Sequence, residues 1–360
     1  MGKYIINKRS YTETEIETLS KMDFSLRYIQ NEKPIKLYKY FPNTYKEGRN
    51  YSIEALKNNT IHLQNPLMFD DPYDSTLFVE PDSFAFVRIR YYANLCNLKI
   101  ESDWDYFKIL YELALFLHAY VNSGNELEKL FLDEYDNSNQ VHLRHRRFLL
   151  TLISKLTEYK EQKEVWQIAI SEAIRNDFIE AKDFINRFRV SCFTTSPYSM
   201  LMWSHYANCH KGFCIEYEVP NFDKDNSHLF SNLFPVIYSE KRTSVLPYCV
   251  KALENKDMTD EVLWGMYKYG LLTKSMDWQY QDEWRLVSYD TMLAQDNEYN
   301  CRFFDIKKVY LGTKMDKAER LAIIDICKDK IPYVGVLPDA NKFQMVDCLG
   351  KCKECKKIID

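Results

Sequence analysis

The sequence has few glycines and lacks the signatures of several common enzyme classes. Only 9 of its 360 residues are glycine. It contains no G-x-G-x-x-G run, no Walker loop, no H-E-x-x-H pair and no G-x-S-x-G elbow. Each of these motifs has a mechanical role that needs those residue types at that spacing. Their absence disfavours Rossmann oxidoreductases, P-loop ATPases, zincins and α/β-hydrolases.

The chain also lacks a large excess of either charge and lacks a long apolar run. Its net charge is −4, so no overall cationic field indicates a nucleic acid or an anionic membrane as partner. Residues 1–10 lack the apolar core of a signal peptide, and no stretch approaches the ~20 apolar residues that a membrane span needs. We therefore expect a cytoplasmic protein without membrane association, whose 10 cysteines are reduced thiols.

The hydrophobic pattern changes twice along the chain. Period-two alternation rich in aromatic residues indicates strands near both ends, whereas apolar residues recur at helical spacing in the middle, where proline is absent between Pro81 and Pro197. The sequence therefore predicts an α+β fold with a mixed or antiparallel sheet and a long helical insertion. Its predicted parts are an N-terminal helical extension (1–34), an α+β core (35–82 and 189–346), a helical insertion or lid (83–188) and a tail rich in cysteine and lysine (347–360).

The segment E-W-R is a candidate for chemistry. It opens a predicted strand, in which Glu283 and Arg285 share one face while Trp284 takes the other. Two interpretations are open. The pair is part of an ion-pair ladder on a solvated sheet face, or Glu283 is a carboxylate at the edge of a cleft that meets a developing positive charge.

Three aspartates lie together in the segment N-P-L-M-F-D-D-P-Y-D, as Asp70, Asp71 and Asp74. Clustered carboxylates suit Mg²⁺ or Mn²⁺, whereas aspartates beside proline also cap turns through their side-chain oxygens. The single cluster has the spacing of a turn. We therefore predict a structured loop and no metal site here, and a site for a divalent metal ion stays open as the alternative.

Two other segments have weaker signals. Cys348, Cys352 and Cys355 resemble half of a zinc site, but a closed tetrahedral site needs four ligands and no fourth is adjacent. The run H-L-R-H-R-R at residues 142–147 is the one dense basic segment. It suits contact with phosphate groups, although its composition favours the solvated face of a helix.

A predicted helix contains the run M-L-M-W-S-H-Y-A. Its spacing places Trp203, Tyr206 and the following His210 on neighbouring faces, whereas His205 points elsewhere. Trp203 and Tyr206, opposite a strand, either stack on a planar ligand ring or belong to the core.

Several motifs follow one another in a recognisable order. They are K-L-Y-K-Y (36–40), N-P-x-x-F-D-D-P-x-D (65–74), C-F-T (192–194), M-W-S-H-Y-A-x-x-H-K-G-F-C-I-E (202–216), W-x-Y-Q-x-E-W-R (278–285) and V-Y-L-G (309–312). This order resembles the bacterial family called domain of unknown function 2971 (DUF2971), from about residue 35 to about residue 346. The helical block looks longer than the usual connection in that family.

The layout is also similar to that of the ADP-ribosyltransferases, which carry three separated motifs. When these motifs are placed on this chain, the residue of the first motif is Tyr38 or Lys39. The second motif corresponds to Ser191 or Thr194 together with Tyr206, and the third corresponds to Glu283. The first position shows neither the Arg nor the His of the common form. The resemblance implies that Glu283 is catalytic and that NAD, as a substrate, is bound by Tyr38, Lys39, Tyr40, Ser191, Thr194, Trp203, Tyr206 and Arg285.

Three functions remain open at this point. The resemblance implies NAD-dependent ADP-ribosyl transfer or NAD cleavage, in a bacterial toxin or anti-phage effector that modifies nucleic acid or protein. The first alternative is a metal-dependent nuclease that uses Glu283 with the three aspartates Asp70, Asp71 and Asp74. The second alternative is a non-catalytic module whose aromatic cleft binds a nucleotide or a partner protein.

Overall fold

The computed structural model of the chain describes residues 4–26, 36–79, 81–126, 130, 150–151, 154, 185–222, 225, 227–255, 259–289, 299–328 and 330–349. None of the helices within these ranges has the length and apolar character that crossing a membrane requires. The chain forms two compact units. The first comprises Met1–Thr76, Ile185–Arg242 and Leu271–Asp360, and the second comprises Leu77–Phe184 and Thr243–Gly270.

The strands all lie in the segments of the first unit. They are β1 (Tyr4–Ile6), β2 (Arg9–Tyr11), β3 (Lys36–Phe41), β4 (Thr60–His62), β5 (Phe188–Thr194), β6 (Phe213–Glu218), β7 (Leu233–Pro235), β8 (Ile237–Ser239), β9 (Thr273–Ser275), β10 (Glu283–Tyr289), β11 (Asn300–Arg302), β12 (Ile306–Leu311), β13 (Tyr333–Pro338) and β14 (Met345–Asp347).

The helices occur in both units. They are α1 (Glu13–Thr18), α2 (Lys21–Leu26), α3 (Tyr51–Asn58), α4 (Pro81–Leu95), α5 (Tyr106–Asn122), α6 (Met200–Tyr206), α7 (Ser227–Phe230), α8 (Leu246–Asn255), α9 (Asp260–Leu271) and α10 (Lys317–Cys327), with 3₁₀ turns at Pro66–Met68 and Met276–Gln281.

An eight-stranded sheet forms the centre of the first unit, in the order β14-β13-β12-β6-β3-β5-β10-β7. Its neighbours pair antiparallel except β12 with β13, which are parallel. A smaller sheet has the order β2-β1-β8-β9, and β8 and β9 are parallel. The predicted α+β class with a mixed sheet is therefore confirmed.

The local sequence explains where the helix beside the site begins. The Ser199 hydroxyl accepts a hydrogen bond from the backbone N–H of Met202, so Ser199 is the N-cap of α6. Met202 and Trp203 are the residues of α6 that are buried, in a cluster that also contains Tyr40 and Tyr310. The helix thus covers the central strands with its apolar side.

The second unit is helical where the structure describes it. Its buried cluster joins α4 and α5, with Tyr92, Ile109, Leu113 and Leu117 among its members. These residues recur at helical spacing, which is the pattern of an amphipathic helix packed on a neighbour. Most of the stretch between residues 127 and 184 lies outside the described residues.

Several strands were not predicted from the sequence. Tyr4–Ile6 and Arg9–Tyr11 are strands within the segment predicted as a helical extension, and Thr273–Ser275 is a third strand that the sequence did not indicate. Each is only three residues long, too short for a period of two to stand out. They form because distant strands pair with them, as β8 does with both β1 and β9. The domain boundaries drawn from the sequence stay predictions, although residues 243–270 group with the second unit.

Candidate functional site

Three residues predicted for the site lie in one row across the large sheet. Tyr38 on β3 and Glu283 on β10 pair with the same residue, Thr194, on the strand between them. On the other side of β3, Tyr38 pairs with Glu216 of β6. Directly paired residues point to the same face of a sheet. Tyr38, Thr194 and Glu283 therefore share one face, with about 10 Å between the outer two strands.

The remaining strand residues divide between the two faces. Because side chains alternate along a strand, Tyr40 and Arg285 lie on the face of Tyr38 and Glu283, whereas Lys39 and Ser191 lie on the opposite face. The Lys39 ammonium donates to the Cys192 carbonyl at 3.1 Å, and burial lowers its pKa below the ordinary value. The structure thus brings together most of the predicted site, but not Lys39 or Ser191.

Glu283 and Arg285 belong to a buried network of charges. Arg285 Nε donates to Glu283 Oε1 at 2.7 Å, while Nη1 and Nη2 donate to the two carboxylate oxygens of Asp74 at 2.8 and 2.7 Å. The Lys274 ammonium donates to Glu283 Oε2 at 3.1 Å and forms an ion pair with Asp74 Oδ2, also at 3.1 Å. Two anions are thereby matched by two cations.

The pKa values of this network favour its charged state. Burial alone would raise the pKa of Glu283, but Arg285 and Lys274 outweigh burial and hold it below the ordinary value. The same balance, with Arg285 as the main partner, lowers the pKa of Asp74. Burial opposes the charge on Lys274, yet Glu283 and Asp74 raise its pKa. All four groups are therefore ionised at neutral pH.

This arrangement corrects one interpretation of E-W-R. Glu283 is 5% exposed and Arg285 is 0% exposed, so the pair does not form a ladder on a solvated face. The hydrophobic pattern of β10 could not show this, because the face is covered by segments that are distant in sequence, including the loop of Asp74. Glu283 is a buried carboxylate held by specific partners.

The three neighbouring aspartates have different surroundings. Asp74 is buried and paired with Arg285, whereas the Asp71 side chain accepts a hydrogen bond from the Tyr73 backbone N–H at 2.9 Å, as expected for a turn. Asp70 is exposed. Across the described part of the chain, no group of three or more His, Cys, Asp or Glu side chains is placed to share a metal ion.

The two aromatic residues predicted on α6 have different environments. Trp203 is fully buried, makes an edge contact with Tyr40 at 5.1 Å between ring centroids, and donates from Nε1 to the Pro197 carbonyl at 2.7 Å. It belongs to the core. Tyr206 is 39% exposed, and its hydroxyl accepts a hydrogen bond from Gln281 Nε2 at 2.6 Å.

Gln281 connects Tyr206 to the charged network. Its Oε1 accepts a hydrogen bond from the Lys274 ammonium at 2.8 Å, and Gln281 itself is buried. A chain of hydrogen bonds therefore runs from the exposed Tyr206 through Gln281 and Lys274 to Glu283. Sequence reasoning missed Lys274 and Gln281 as members of the site, although Gln281 lies within the motif W-x-Y-Q-x-E-W-R.

A second carboxylate occupies the same row beyond Tyr38. Glu216 is buried, accepts a hydrogen bond from the Tyr310 hydroxyl at 2.6 Å and pairs with the Lys36 ammonium at 2.6 Å. Burial and the charge of Glu216 raise the pKa of Tyr38. Tyr38 is therefore a neutral phenol at physiological pH, suited to hydrogen bonding rather than to acting as a phenolate base.

Two predicted features fall wholly or partly outside the described residues. The basic run at 142–147 lies outside them, as do Cys352 and Cys355. Cys348 is described, and it is buried. The predictions for these segments, a tail without a complete zinc site and a solvated helix face, stay predictions.

Comparison with known proteins gives one similarity. No curated protein and no solved structure matches the chain. The segment that contains Trp203, Tyr206, Lys274, Gln281 and Glu283 does match a family model. Residues 202–286 match the family described as Protein of unknown function (DUF2971).

Proposed function

We propose that this protein cleaves the bond between nicotinamide and ribose in NAD and transfers the ADP-ribosyl group to water or to another acceptor. The observation that carries the proposal is the row Tyr38, Thr194 and Glu283 on neighbouring strands. These residues come from three motifs that lie far apart in the chain, and a catalytic constellation needs such separated residues brought onto one face.

The chemistry requires a carboxylate at the reacting carbon. As the C1′–N bond breaks, its electron pair leaves with nicotinamide and positive charge develops on the ribose, as in glycoside hydrolysis. Glu283 is ionised and fixed in position, so it meets that charge without reorganisation. The acceptor then bonds to C1′ and releases its proton.

Glu283 retains hydrogen-bonding capacity for a substrate contact despite its partners. An ionised carboxylate has about four lone-pair positions. Arg285 and Lys274 each occupy one. The other positions can accept a hydrogen bond from a ribose hydroxyl. In this role Arg285 and Lys274 orient the carboxylate.

One observation favours a second function, a module that binds nucleotides without cleaving them. The negative charge of Glu283 is balanced by ion pairs with Arg285 and Lys274. These two cations oppose positive charge that develops on a nearby ribose. A site of this kind would hold a ribose hydroxyl and leave the glycosidic bond intact. The two functions differ in one measurable quantity, the release of nicotinamide.

The test compares nicotinamide release by the full chain and by Glu283→Gln, with NAD alone and with added protein or nucleic acid. We expect the substitution to reduce the rate by about 10²–10³-fold, the usual effect of removing one electrostatic contributor. The matched control is Glu218→Gln, because Glu218 is an exposed glutamate whose ion pair with Lys307 lies at the surface. That variant should retain the full rate.

Stability must be measured alongside activity, because Glu283 belongs to a buried network. Rates are therefore compared at a temperature where both variants are folded, and NAD affinity is measured by calorimetry. Unchanged nicotinamide release in Glu283→Gln contradicts the proposal. NAD binding without any release by the unsubstituted protein supports the binding module instead.

A further inference from the structure

Four aromatic side chains form a cluster that the proposed reaction does not use as a whole. His205 and Tyr206 come from α6, and Trp278 and Tyr280 come from the 3₁₀ turn Met276–Gln281. The His205 ring lies 6.3 Å from that of Tyr206, 6.5 Å from that of Trp278 and 6.4 Å from that of Tyr280. Trp278 and Tyr280 lie 6.1 Å apart. We call these four residues the aromatic cluster.

The aromatic cluster is partly open to solvent. His205 and Tyr206 are exposed, while Trp278 and Tyr280 are half-buried. Tyr280 packs with one side against the buried cluster that contains Tyr40 and Trp203, and Trp278 packs against a second buried cluster. His205 has no such place in the core and is exposed. Rings with one accessible side are surfaces on which a planar ligand stacks.

The charge beneath the cluster discriminates between ligands. The Lys274 ammonium lies 5.0 Å from the centroid of the Trp278 ring and is buried. A cation against the Trp278 ring disfavours stacking of a second cation on that ring, such as the pyridinium of NAD. A neutral, electron-rich base does not meet this repulsion.

We infer that the aromatic cluster binds the adenine ring of an adenine nucleotide, an assignment that rests on the proposed use of NAD. The Tyr38–Thr194–Glu283 row is then left for the nicotinamide riboside end of the substrate. A polar edge is available for the base, since His205 borders the other three rings. A stable protein interface buries roughly 800 Å² on each partner. Four partly exposed side chains offer a smaller surface, which suits a single base.

The test measures AMP, ADP-ribose and nicotinamide mononucleotide binding to the full chain by calorimetry. AMP and ADP-ribose carry adenine, and nicotinamide mononucleotide does not. We expect the first two to bind and Trp278→Ala to weaken them by roughly 5- to 150-fold, the equivalent of ~1–3 kcal/mol for one stacked base. Trp278→Phe should recover part of the loss. The matched control is Phe343→Ala, since Phe343 is an aromatic residue that is 98% exposed.

A second variant guards against a folding defect at Trp278. His205→Ala removes an exposed ring and should weaken AMP and ADP-ribose binding while the unfolding midpoint stays within error. Three outcomes would overturn the inference. They are the absence of AMP binding, an AMP affinity in both variants equal to that of the unsubstituted protein, and tighter binding of nicotinamide mononucleotide than of AMP. None of these measurements requires NAD cleavage, so a failure here is distinguishable from a failure of the proposed reaction.

Discussion

Arg285 holds Asp74 with two parallel hydrogen bonds, of 2.8 and 2.7 Å, although 211 positions separate the two residues in the chain. This bidentate geometry is the strongest form of carboxylate recognition available to a side chain. It ties the loop after the Pro66–Met68 turn to the strand β10. The motif ending in Asp74 and the motif ending in Arg285 are therefore two halves of one interaction.

The first prediction concerns this ion pair. Asp74→Asn should lower the free energy of unfolding by about 3–5 kcal/mol, because it leaves buried positive charge on Arg285 and Lys274 without full compensation. Urea denaturation followed by circular dichroism measures the change. Asp70→Asn, at an exposed aspartate of the same loop, should alter the free energy by no more than about 0.5 kcal/mol. Equal effects at the two positions would contradict the assignment.

The second prediction concerns acid stability. The pKa values of Asp74 and Glu283 are lower in the folded protein than in the unfolded chain, mainly because Arg285 outweighs burial. Their contribution is therefore complete above the unfolded values, near pH 4, and is lost as pH falls through the folded values. The free energy of unfolding should decline below about pH 4.5, and the decline should be shallower in Asp74→Asn. Parallel curves for the two proteins would show that Asp74 is not involved.

Local patterns sufficed to predict much of the fold. The sequence predicted a strand that opens with E-W-R, and the structure has one at Glu283–Tyr289. It also predicted a helix around Trp203, which the structure has at Met200–Tyr206. The eight-stranded order was not predictable, because it depends on pairings such as β3 with β6, across more than 170 residues. No local sequence property encodes which strands become neighbours.

The candidate site was predictable only in part for the same reason. Glu283 and Arg285 were expected to share a face, since alternation along one strand decides it. Lys274 was not recognised as a site residue, because its role depends on reaching Glu283 and Asp74 after the chain has folded. The resemblance grouped Lys39 with Tyr38 and Tyr40, although adjacent strand residues point to opposite faces.

The third prediction concerns the glycine in the motif H-K-G-F. A Cβ atom at Gly212 would lie 2.0 Å from the Phe41 carbonyl oxygen, and backbone cannot move aside as a flexible side chain can. Gly212→Ala should therefore destabilise the protein by at least about 1–3 kcal/mol. Gly48 is the comparison, because it has a φ of +80° but no atom within 4 Å of its Cβ position. In Gly48→Ala the free energy of unfolding should fall only by the cost of placing a residue with a side chain in the left-handed conformation, about 1–2 kcal/mol.

Thermal denaturation of the two alanine variants measures this difference. Gly212→Ala should unfold at the lower temperature and should lose the hydrogen bond from Gly312 N–H to the Gly212 carbonyl, 3.0 Å long in the native protein. Faster amide exchange at Gly312 would report that loss. A Gly212→Ala variant as stable as Gly48→Ala would show that β3 and the motif do not approach so closely.

The last prediction concerns the link between the exposed ring of Tyr206 and the charged network. Burial of its hydroxyl end raises the pKa of Tyr206 to about 12. Tyr206→Phe removes the acceptor of the Gln281 amide, and Gln281 is buried. An unsatisfied buried donor costs about 1–3 kcal/mol, so the free energy of unfolding should fall by that amount.

Tyr333→Phe is the matched control for this substitution. Tyr333 is 37% exposed and Tyr206 is 39% exposed, so the two substitutions remove a hydroxyl at nearly the same accessibility. The free energy of unfolding of the Tyr333 variant should change by no more than about 0.5 kcal/mol. If the hydrogen bond to Gln281 also orients Lys274, Tyr206→Phe should lower NAD cleavage without changing AMP affinity, because its ring is retained. Loss of AMP binding together with unchanged cleavage would mean that the hydroxyl contacts the base and does not support Glu283.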